Sequence, residues 1–578
     1  METFQALLSK RVSEALKKAG LPDAGEVTPA TDPRFGDYQT NAALILGKQR
    51  GENPRTVAAK ILEQLDVSDW SQVPTVAGAG FINFTLRREA VEQKVAELLE
   101  DEHLGVTRTD SPRRIVIDFG SPNVAKPMHV GHIRSTVLGD ALARIAQFLG
   151  HEVIRDNHIG DWGTQFGMVI WGWKNLLDRS ALERDPIREL VRVYKQTNEK
   201  ATVDPQVREA ARQELVKLQS GDAENFSIWR ETVDLSMREF ERSYRLLDIH
   251  YDIQRGESFY NDRLPAVVER LLKSGIAEIS EDAACVFFPD VPELADKPAI
   301  IRKRDGGFNY ATTDIATVDY RVRDLKADTA WYVVGAPQLL HFKQIFAIAH
   351  REGYTADLHH ITFGSILGEN RKLMKTRSGE NVPLQEVLNE AISRARKTVD
   401  EKNPGLTDVE KSEIAEIIGI GAVKYAELSQ YRMTDYIFSW DKMLSLHGNT
   451  APYLQNAYVR IRSIFRKAAE MSDGRPARED IGARPMQLIL AEPAEINLGK
   501  RLAQFAEMVP QVLNDFRPNI LANYLFELAN AFHTFYESCP VLKADEPIRS
   551  SRLALSDLTG RVLKTGLGLL GIKVPAKM

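Results

Sequence analysis

The sequence predicts an α/β protein with a Rossmann-like parallel sheet, a helical insertion, an N-terminal α+β domain and a C-terminal all-α bundle. Residues 114–118 form an apolar strand pattern, 133–150 have helical spacing, and 152–155 form a second strand pattern, in βαβ order. From about 172 to 250 the sequence is highly charged and helical, and after about 405 clear strand signals are absent. A chain of 578 residues exceeds what one hydrophobic core usually supports, so several domains are expected.

The N-terminal domain is assigned to residues 1–110. It begins with apolar residues at helical spacing and continues into a segment that contains proline, glycine and aspartate. Phe81–Leu86 alternates apolar and polar residues, which predicts a half-buried strand. Together these patterns indicate a small α+β module.

The parallel-sheet domain is assigned to residues 111–385, with further strands predicted at Ala330–Val334 and His360–Phe363. Ligands of such sheets bind outside the carboxyl ends of the strands, so the site is expected between the two halves of the sheet. Residues 386–450 are assigned to a helical linking region and 451–578 to the bundle. The helices predicted beyond 405 are 408–430, 451–470, 485–514, 519–538 and 550–570.

The composition is that of an ordinary globular protein, with 43% hydrophobic and 27% charged residues. No apolar run approaches the roughly 18 residues that a membrane span requires. The N-terminal residues lack the apolar core of a signal peptide, so a cytoplasmic location is expected. Two cysteines, Cys285 and Cys539, are too few for a disulfide framework or a cysteine-rich zinc site.

The net charge of −5 is unevenly distributed along the chain. Residues 451–578 hold 17 Lys and Arg against 13 Asp and Glu, so the bundle is basic while the remainder is acidic. A basic bundle is typical of a surface that faces RNA, although ordinary surface variation explains the same counts.

The segment Ser121–His132, named here the histidine loop, holds His129 and His132 on either side of Gly131. It lies between the first predicted strand and the helix that follows. At a helix N-terminus the free N–H groups and the dipole favour phosphate, and glycine lets a nucleotide lie against the backbone. The loop therefore predicts a nucleotide site, although a histidine pair around a glycine more often marks a capped turn.

This pattern resembles the HIGH signature of class I aminoacyl-tRNA synthetases. Over the longer stretches Asp118–Thr136 and Asn157–Gly167 the sequence is similar to the arginyl-tRNA synthetase family in particular. Further segments match that family in order along the chain, namely Phe35–Asn41, Gly78–Asn83, Gly448–Gln455 and Arg460–Arg462. The resemblance thus extends over the whole chain.

The resemblance implies an ATP-dependent ligase that activates L-arginine and transfers it to the terminal ribose of its tRNA. The implied cofactors are ATP and Mg²⁺ carried with the nucleotide, without structural zinc, and the implied state is a monomer that binds no membrane. His129 and His132 are expected to donate to ATP phosphates, and Gly131 to lie under the adenosine. Asn123 and His132 are expected to hold the amino acid end of the substrate.

A guanidinium presents a fixed, planar set of donors, so its pocket requires carboxylate acceptors. The resemblance places Glu257, Tyr310, Asp314 and Gln344 in that pocket. Tyr310 and Asp314 are four residues apart, which puts both side chains on one face of a helix. Without the resemblance, Asp314 is more simply explained as a helix cap or a surface acid.

The second class I signature, KMSKS, is altered in this sequence. Within Lys372–Gly379, Leu373 and Thr376 stand where the signature has its two lysines. Lys375 and Arg377 lie beside these positions and are expected to hold the leaving pyrophosphate.

Lys126 precedes His129 by three residues within the histidine loop. It is expected to supply at the α-phosphate the positive charge that the altered second signature lacks. The alternative is a solvated loop lysine.

Several aromatic and basic residues are candidates for contact with tRNA. In the arginyl family the N-terminal domain reaches the outer corner of tRNA, which makes Phe81 and Asn83 candidates to stack on and hydrogen-bond to a D-loop base. The bundle resembles the anticodon-binding domain of the family. Its candidates are Tyr453, Tyr458, Arg460, Arg462 and Tyr536. Each aromatic residue can instead belong to the core.

Two other functions fit parts of the sequence. A different ATP-dependent adenylyl transferase explains the histidines but not the C-terminal bundle. A non-enzymatic RNA-binding relative explains the altered second signature but not the retained histidines and pocket acids.

Overall fold

The computed structural model describes residues 1–372, 374, 382–471 and 488–578. The predicted sites Lys375 and Arg377 lie outside the described residues. The chain divides into two compact units. Unit 1 comprises Met1–Arg108, Leu446–Gly568 and Lys573–Met578, and unit 2 comprises Thr109–Ser445 and Leu569–Ile572. The finer division into four domains stays a prediction.

The N-terminal part of unit 1 combines four helices with four strands, as the sequence indicates. The helices are α1 (Phe4–Lys18), α2 (Ala42–Arg50), α3 (Pro54–Leu62) and α4 (Arg88–Glu100). The strands are β1 (Val27–Pro29), β2 (Tyr38–Thr40), β3 (Thr75–Ala77) and β4 (Phe81–Phe84). They form an antiparallel sheet in the order β1-β2-β4-β3. The strand predicted at Phe81–Leu86 is therefore central in this sheet.

The centre of unit 2 is a five-stranded parallel sheet. Its strands are β5 (Arg114–Asp118), β6 (Glu152–Ile159), β7 (Ile253–Gly256), β11 (Thr329–Tyr332) and β12 (Asp357–His360). Their order is β12-β11-β5-β6-β7, and every neighbouring pair is parallel. Helix α5 (Gly131–Phe148) connects β5 to β6, which confirms the predicted βαβ unit. The strand order reverses between β5 and β11, and the histidine loop leaves the sheet there.

Five helices separate β6 from β7, which confirms the helical insertion. They are α6 (Gln165–Leu176), α7 (Arg179–Arg184), α8 (Pro186–Val203), α9 (Pro205–Gln219) and α10 (Ala223–Leu246). Aspartates cap four of these helices: the side chains of Asp178, Asp185, Asp204 and Asp222 each accept a backbone N–H of the first turn. Some of the charged residues of the insertion are thus the N-caps at which its helices begin.

A small antiparallel sheet between β7 and β11 was not predicted from the sequence. Its strands are β8 (Glu278–Ser280), β9 (Ala283–Val286) and β10 (Ala299–Arg302), in the order β10-β9-β8. The accompanying helices are α11 (Leu264–Lys273), α12 (Tyr310–Asp319) and α13 (Leu339–Arg351). The sheet and these helices share one apolar core.

The rest of unit 2 is mostly helical. Its helices are α14 (Leu384–Lys402), α15 (Asp408–Leu428) and α16 (Trp440–Met443). The two-residue strands β13 (Ile366–Leu367) and β14 (Tyr436–Ile437) pair in parallel. The sequence predicts no strand after about residue 405, so β14 was not expected.

The C-terminal part of unit 1 is the predicted all-α bundle. Its helices are α17 (Ala451–Met471), α18 (Pro493–Ala503), α19 (Phe505–Asn514), α20 (Asn519–Ser538) and α21 (Ile548–Leu569). Within the part of the chain that the structure describes, no helix is both long and apolar enough to cross a membrane. Both cysteines are buried and free.

Two predicted elements are wrong in detail. The strand predicted at His360–Phe363 ends at His360, because its partner β11 ends at Tyr332, directly opposite. The single helix predicted over 485–514 is two helices in its described part, since Gln504 separates α18 from α19.

A buried arginine ties three strands of the parallel sheet together. Asp118 and Tyr332 end β5 and β11, and Asp156 lies opposite Asp118 within β6. Arg321, in the π-helical turn after α12, donates from Nε to Asp156 Oδ2 at 2.9 Å and from Nη2 to Asp118 Oδ2 at 2.9 Å. Its guanidinium lies 4.9 Å from the centre of the Tyr332 ring. The side chain is fully buried.

Removing this guanidinium should destabilise unit 2 severely. Arg321→Leu leaves two buried carboxylates without their cation, which typically costs about 3 to 5 kcal/mol. Arg323→Leu is the matched control, because Arg323 is half-exposed and pairs with Asp319 on the surface. Its loss should cost about 1 kcal/mol or less. The measurement is urea denaturation followed by tryptophan fluorescence, and equal midpoints for the two variants would contradict the assignment.

Candidate active site

The histidine loop fixes the orientation of its two imidazoles through the backbone. His129 Nδ1 accepts the N–H of Gly131 at 3.1 Å, and His132 Nδ1 accepts the N–H of His129 at 3.0 Å. The ring centres are 4.0 Å apart. An imidazole that accepts at Nδ1 holds its proton on Nε2, so the His129 ring presents an N–H donor. His132 Nδ1 also lies 3.3 Å from the carbonyl oxygen of His129, to which the other tautomer would donate.

Both histidines are neutral at physiological pH. Burial lowers the pKa of His132 to about 3, with a further contribution from His129, and burial also lowers the pKa of His129. The rings therefore act as neutral hydrogen-bond donors rather than as cations. Such donors suit phosphoryl oxygens at the N-terminus of α5.

The first half of the histidine loop lies against the end of β6. Val124 N–H donates to the carbonyl of Gly160, and Gly160 N–H donates to the carbonyl of Pro122. A Cβ atom on Gly160 would lie 2.2 Å from Asn123 Oδ1, so any other residue there would displace the Asn123 side chain. Asn123 is exposed. The loop is thereby joined to the segment that begins the helical insertion.

Lys126 is exposed on the histidine loop. Its ammonium lies 5.7 Å from the centre of the Tyr194 ring on α8. The ring restrains a side chain that the sequence assigns to the α-phosphate. Its role at the phosphate stays a prediction.

Three carboxyl groups lie close together beyond the end of β7. Burial, together with the nearby negative charges of Asp314 and Asp161, raises the pKa of Glu257 to about 8. Asp161 accepts the Ser258 N–H at 2.8 Å and the Ser258 hydroxyl at 2.6 Å, and burial raises the pKa of its carboxyl group. An acidic cluster of this kind favours a bound cation.

The predicted pocket residues occupy two helices around this cluster. Asp314, on the second turn of α12, accepts from His341 Nε2 at 2.5 Å. Tyr310 is the first residue of α12 and is 68% exposed. Gln344 Nε2 donates to the carbonyl of Lys297 at 2.8 Å.

Asp161 and His341 were missed as site residues. Asp161 directly follows Gly160, and His341 precedes Gln344 by three residues, so both lie in or beside segments that resemble the family. A buried aspartate after a parallel strand was the available signal.

In unit 1, the D-loop candidates lie on β4. Asn83 is 3% exposed, and neither atom of its side-chain amide has a hydrogen-bond partner within the described chain. Gln39 and Thr75 are its neighbours across the sheet. Phe81 begins the strand and is half-buried.

Three of the bundle candidates, Tyr453, Arg460 and Tyr536, contact residues across the helices α17 and α20. The Tyr453 hydroxyl donates to Asn530 Oδ1 at 2.6 Å and lies 2.7 Å from His533 Nδ1. The Arg460 guanidinium lies 5.2 Å from the centre of the Tyr536 ring. The other two candidates, Tyr458 and Arg462, are half-buried and exposed respectively.

Among the described residues, no group of three or more His, Cys, Asp or Glu side chains is arranged to hold a metal ion.

Three family models match this chain. The model "tRNA synthetases class I (R), catalytic domain" matches residues 94–440. The model "Arginyl tRNA synthetase N terminal domain" matches 6–86, and the model "DALR anticodon binding domain" matches 454–578.

Several arginine–tRNA ligases are similar to this chain over its whole length. The arginine–tRNA ligases of Crocosphaera subtropica and Chromobacterium violaceum are each 44% identical to the chain, over 594 and 586 aligned residues and the whole of both chains. The solved arginyl-tRNA synthetase of Plasmodium falciparum is similar with a TM-score of 0.85 at 28% identity. That of Thermus thermophilus has a TM-score of 0.84 at 26% identity, and both comparisons cover all of each chain. The chain therefore belongs to the arginyl-tRNA synthetase family of ATP-dependent class I ligases.

Proposed function

We propose that this arginyl-tRNA synthetase binds the arginine guanidinium between Glu257 and Asp314 and binds ATP at the histidine loop. The proposal rests on a series of hydrogen bonds that connects the histidine loop to the acidic cluster. The loop bonds to Gly160, the next residue Asp161 accepts from Ser258, and Ser258 follows Glu257. A short chain of contacts thus joins the phosphate-binding turn to the acidic cluster.

The reaction requires no enzyme nucleophile. The arginine carboxylate attacks the α-phosphorus of ATP, the bond to pyrophosphate breaks, and arginyl-adenylate forms. A terminal ribose hydroxyl of tRNA then attacks the arginyl carbonyl, loses its proton, and displaces AMP. The chain contributes position and charge. The neutral His129 and His132 rings donate to phosphoryl oxygens, and Gly131 lies under the adenosine.

Mg²⁺ is assigned to the nucleotide. It prefers oxygen ligands and keeps phosphate oxygens among them, and the described residues offer no cluster that would hold it without ATP. When bound, it neutralises phosphate charge.

The roles of the remaining pocket residues are proposed from the chemistry of their side chains. Tyr310 flanks the guanidinium, and Gln344 lies further along α13 from His341. Asn123 and His132 face the amino acid end of the substrate. Lys126 stabilises the α-phosphate, while Lys375 and Arg377 hold pyrophosphate.

Transfer RNA is proposed to contact both parts of unit 1. The half-exposed Arg460 and Tyr536, with Tyr453, Tyr458 and Arg462, offer stacking and charge to anticodon bases. Asn83 offers an unpaired amide to a D-loop base, with Phe81 beside it.

Asp314→Asn tests the arginine pocket and with it the proposed function. In charging assays with each of the twenty amino acids, the parent should charge arginine alone, and the variant should lose at least about 30-fold in kcat/KM for arginine. ATP binding should persist. Asp319→Asn, on the same helix but paired with Arg270 and Arg323, is the control. Arginine kinetics within about twofold of the parent would remove Asp314 from the pocket.

The raised pKa of Glu257, about 8, predicts a pH-dependent affinity for arginine. The guanidinium keeps its proton, and only ionised Glu257 pairs with it. The KM for arginine should therefore fall by up to about tenfold per unit as pH rises towards 8, and level off above. Glu257→Gln should raise the KM and flatten this profile between pH 6 and 9. A parent KM independent of pH would contradict ionisation of Glu257 on binding.

Lys126→Ala tests the source of charge at the α-phosphate. The variant should lose about 10²- to 10³-fold in kcat with little change in the KM for arginine. Adding Thr376→Lys should restore part of the rate. Lys273→Ala, which removes an exposed lysine at the end of α11, is the control. An unaltered kcat in Lys126→Ala would show that Lys126 is only a surface lysine. If Thr376→Lys does not restore the rate, the idea that charge at residue 126 replaces charge at residue 376 is refuted.

A further inference from the structure

Ala125, in the middle of the histidine loop, has a left-handed backbone conformation. Its φ is 60°, a value that residues with a Cβ atom rarely adopt. The residue is buried, and its N–H donates to Ser236 Oγ at 3.1 Å. Ser236 lies on α10 of the helical insertion. The strained residue is therefore bonded to a side chain from a different element of the fold.

The Ser236 hydroxyl forms a hydrogen bond as donor as well as acceptor. Ser236 is fully buried, and its hydroxyl donates to the carbonyl of Thr232, one turn earlier, at 2.8 Å. A hydroxyl has one hydrogen and two lone pairs, so it can accept the Ala125 N–H at the same time. An alanine at position 236 would leave this buried N–H without its acceptor.

The histidine loop is anchored on both sides of Ala125. Before it, Val124 N–H donates to the carbonyl of the residue that follows β6. After it, the Met128 carbonyl accepts the N–H of Leu384 at 2.8 Å. The three residues between these anchors are centred on Lys126. The backbone conformation of Ala125 therefore sets the direction in which Lys126 leaves the loop.

A second helix of the insertion contacts Lys126 itself. The ammonium lies 5.7 Å from the centre of the Tyr194 ring on α8, and such a ring attracts a cation. Helices α8 and α10 pack against each other. The insertion thus restrains the backbone before Lys126 through α10 and the ammonium through α8.

Helix α10 also contacts the other half of the candidate site. Trp229 Nε1 donates to the carbonyl of Asp161, whose carboxyl group belongs to the acidic cluster, at 2.8 Å. Trp229 and Ser236 are two turns apart on α10, so they lie on one face of this helix. One helix face of the insertion therefore contacts both the histidine loop and the acidic cluster.

We propose that Ser236 is a positioning residue, which holds Ala125 in its left-handed conformation and thereby directs Lys126 towards the α-phosphate of ATP. The inference rests on the proposed function, because it assumes that Lys126 acts on that phosphate. Ser236 itself touches no reacting atom. The helical insertion thereby sets the conformation of the phosphate-binding loop in addition to separating two strands of the sheet.

The test compares Ser236→Ala with Ser227→Ala. Alanine removes the acceptor of the Ala125 N–H and is favourable in a helix. Ser227 provides the matched control, because it is an exposed serine on the same helix. Each substitution is also combined with Lys126→Ala, which measures its coupling to the lysine. ATP–pyrophosphate exchange in the presence of tRNA, aminoacylation and thermal unfolding are measured for every variant.

Ser236→Ala should lose between about tenfold and 100-fold in kcat, as expected for a small displacement of a group that acts on the transition state. Its KM for arginine and for tRNA should stay within about twofold of the parent. In the Lys126→Ala background the same substitution should change kcat by less than about twofold, because the side chain that Ser236 directs is already absent. Ser227→Ala should have no effect in either background.

The inference is overturned if Ser236→Ala matches Ser227→Ala, or if its loss is as large in the Lys126→Ala background as in the parent. Losses that are equal for all three substrates and follow the fall in melting temperature would also overturn it. If Ser236→Ala does not fold, Ser236→Cys decides by the same criteria, because a thiol of similar size is a weaker acceptor.

Failure of the inference is distinguishable from failure of the proposed function. If Lys126→Ala is slow while Ser236→Ala is normal, the positioning role alone is refuted. If Lys126→Ala is as fast as the parent, the proposed role of Lys126 is refuted, and the positioning role with it.

Discussion

The buried ion triad of Arg321, Asp118 and Asp156 is the constraint on which the active-site geometry depends. The two aspartates end the paired stretches of adjacent strands, and the next residues of each strand lead into the site. From β5 the chain continues into the histidine loop, and from β6 it continues into Gly160 and Asp161. Two carboxylates this close would repel each other without the guanidinium between them. Arg321 therefore holds together the ends of the strands from which both halves of the site emerge.

The two halves of the candidate site, the histidine loop and the acidic cluster, differ in charge. At the histidine loop the protein supplies imidazoles that carry no charge, because burial lowers the pKa of both. At the acidic cluster three carboxyl groups lie together, and burial with the neighbouring negative charges raises the pKa of Glu257 to about 8, so a cation would favour its ionised form. Under the proposed function, a substrate with a guanidinium at one end and a carboxylate at the other would be oriented with its carboxylate directed away from the acids.

Much of the architecture could be predicted from sequence. The βαβ unit, the helical insertion and the C-terminal bundle followed from periodicity, and the match to the family excludes both alternative functions. Arg321 could not be predicted, because a charged residue within a helix normally indicates a solvated face, and only the tertiary fold supplies its acceptors. The short strands β8–β10 and β13–β14 could not be predicted, because they form by pairing with other strands and leave no clear local pattern. The roles of individual site residues stay predictions.

The unpaired amide of Asn83 has a consequence for the stability of the N-terminal sheet. Burying a side-chain amide without partners costs on the order of 1 to 3 kcal/mol. A base that hydrogen-bonds this amide would offset that cost, so RNA binding and the stability of the N-terminal sheet would be linked.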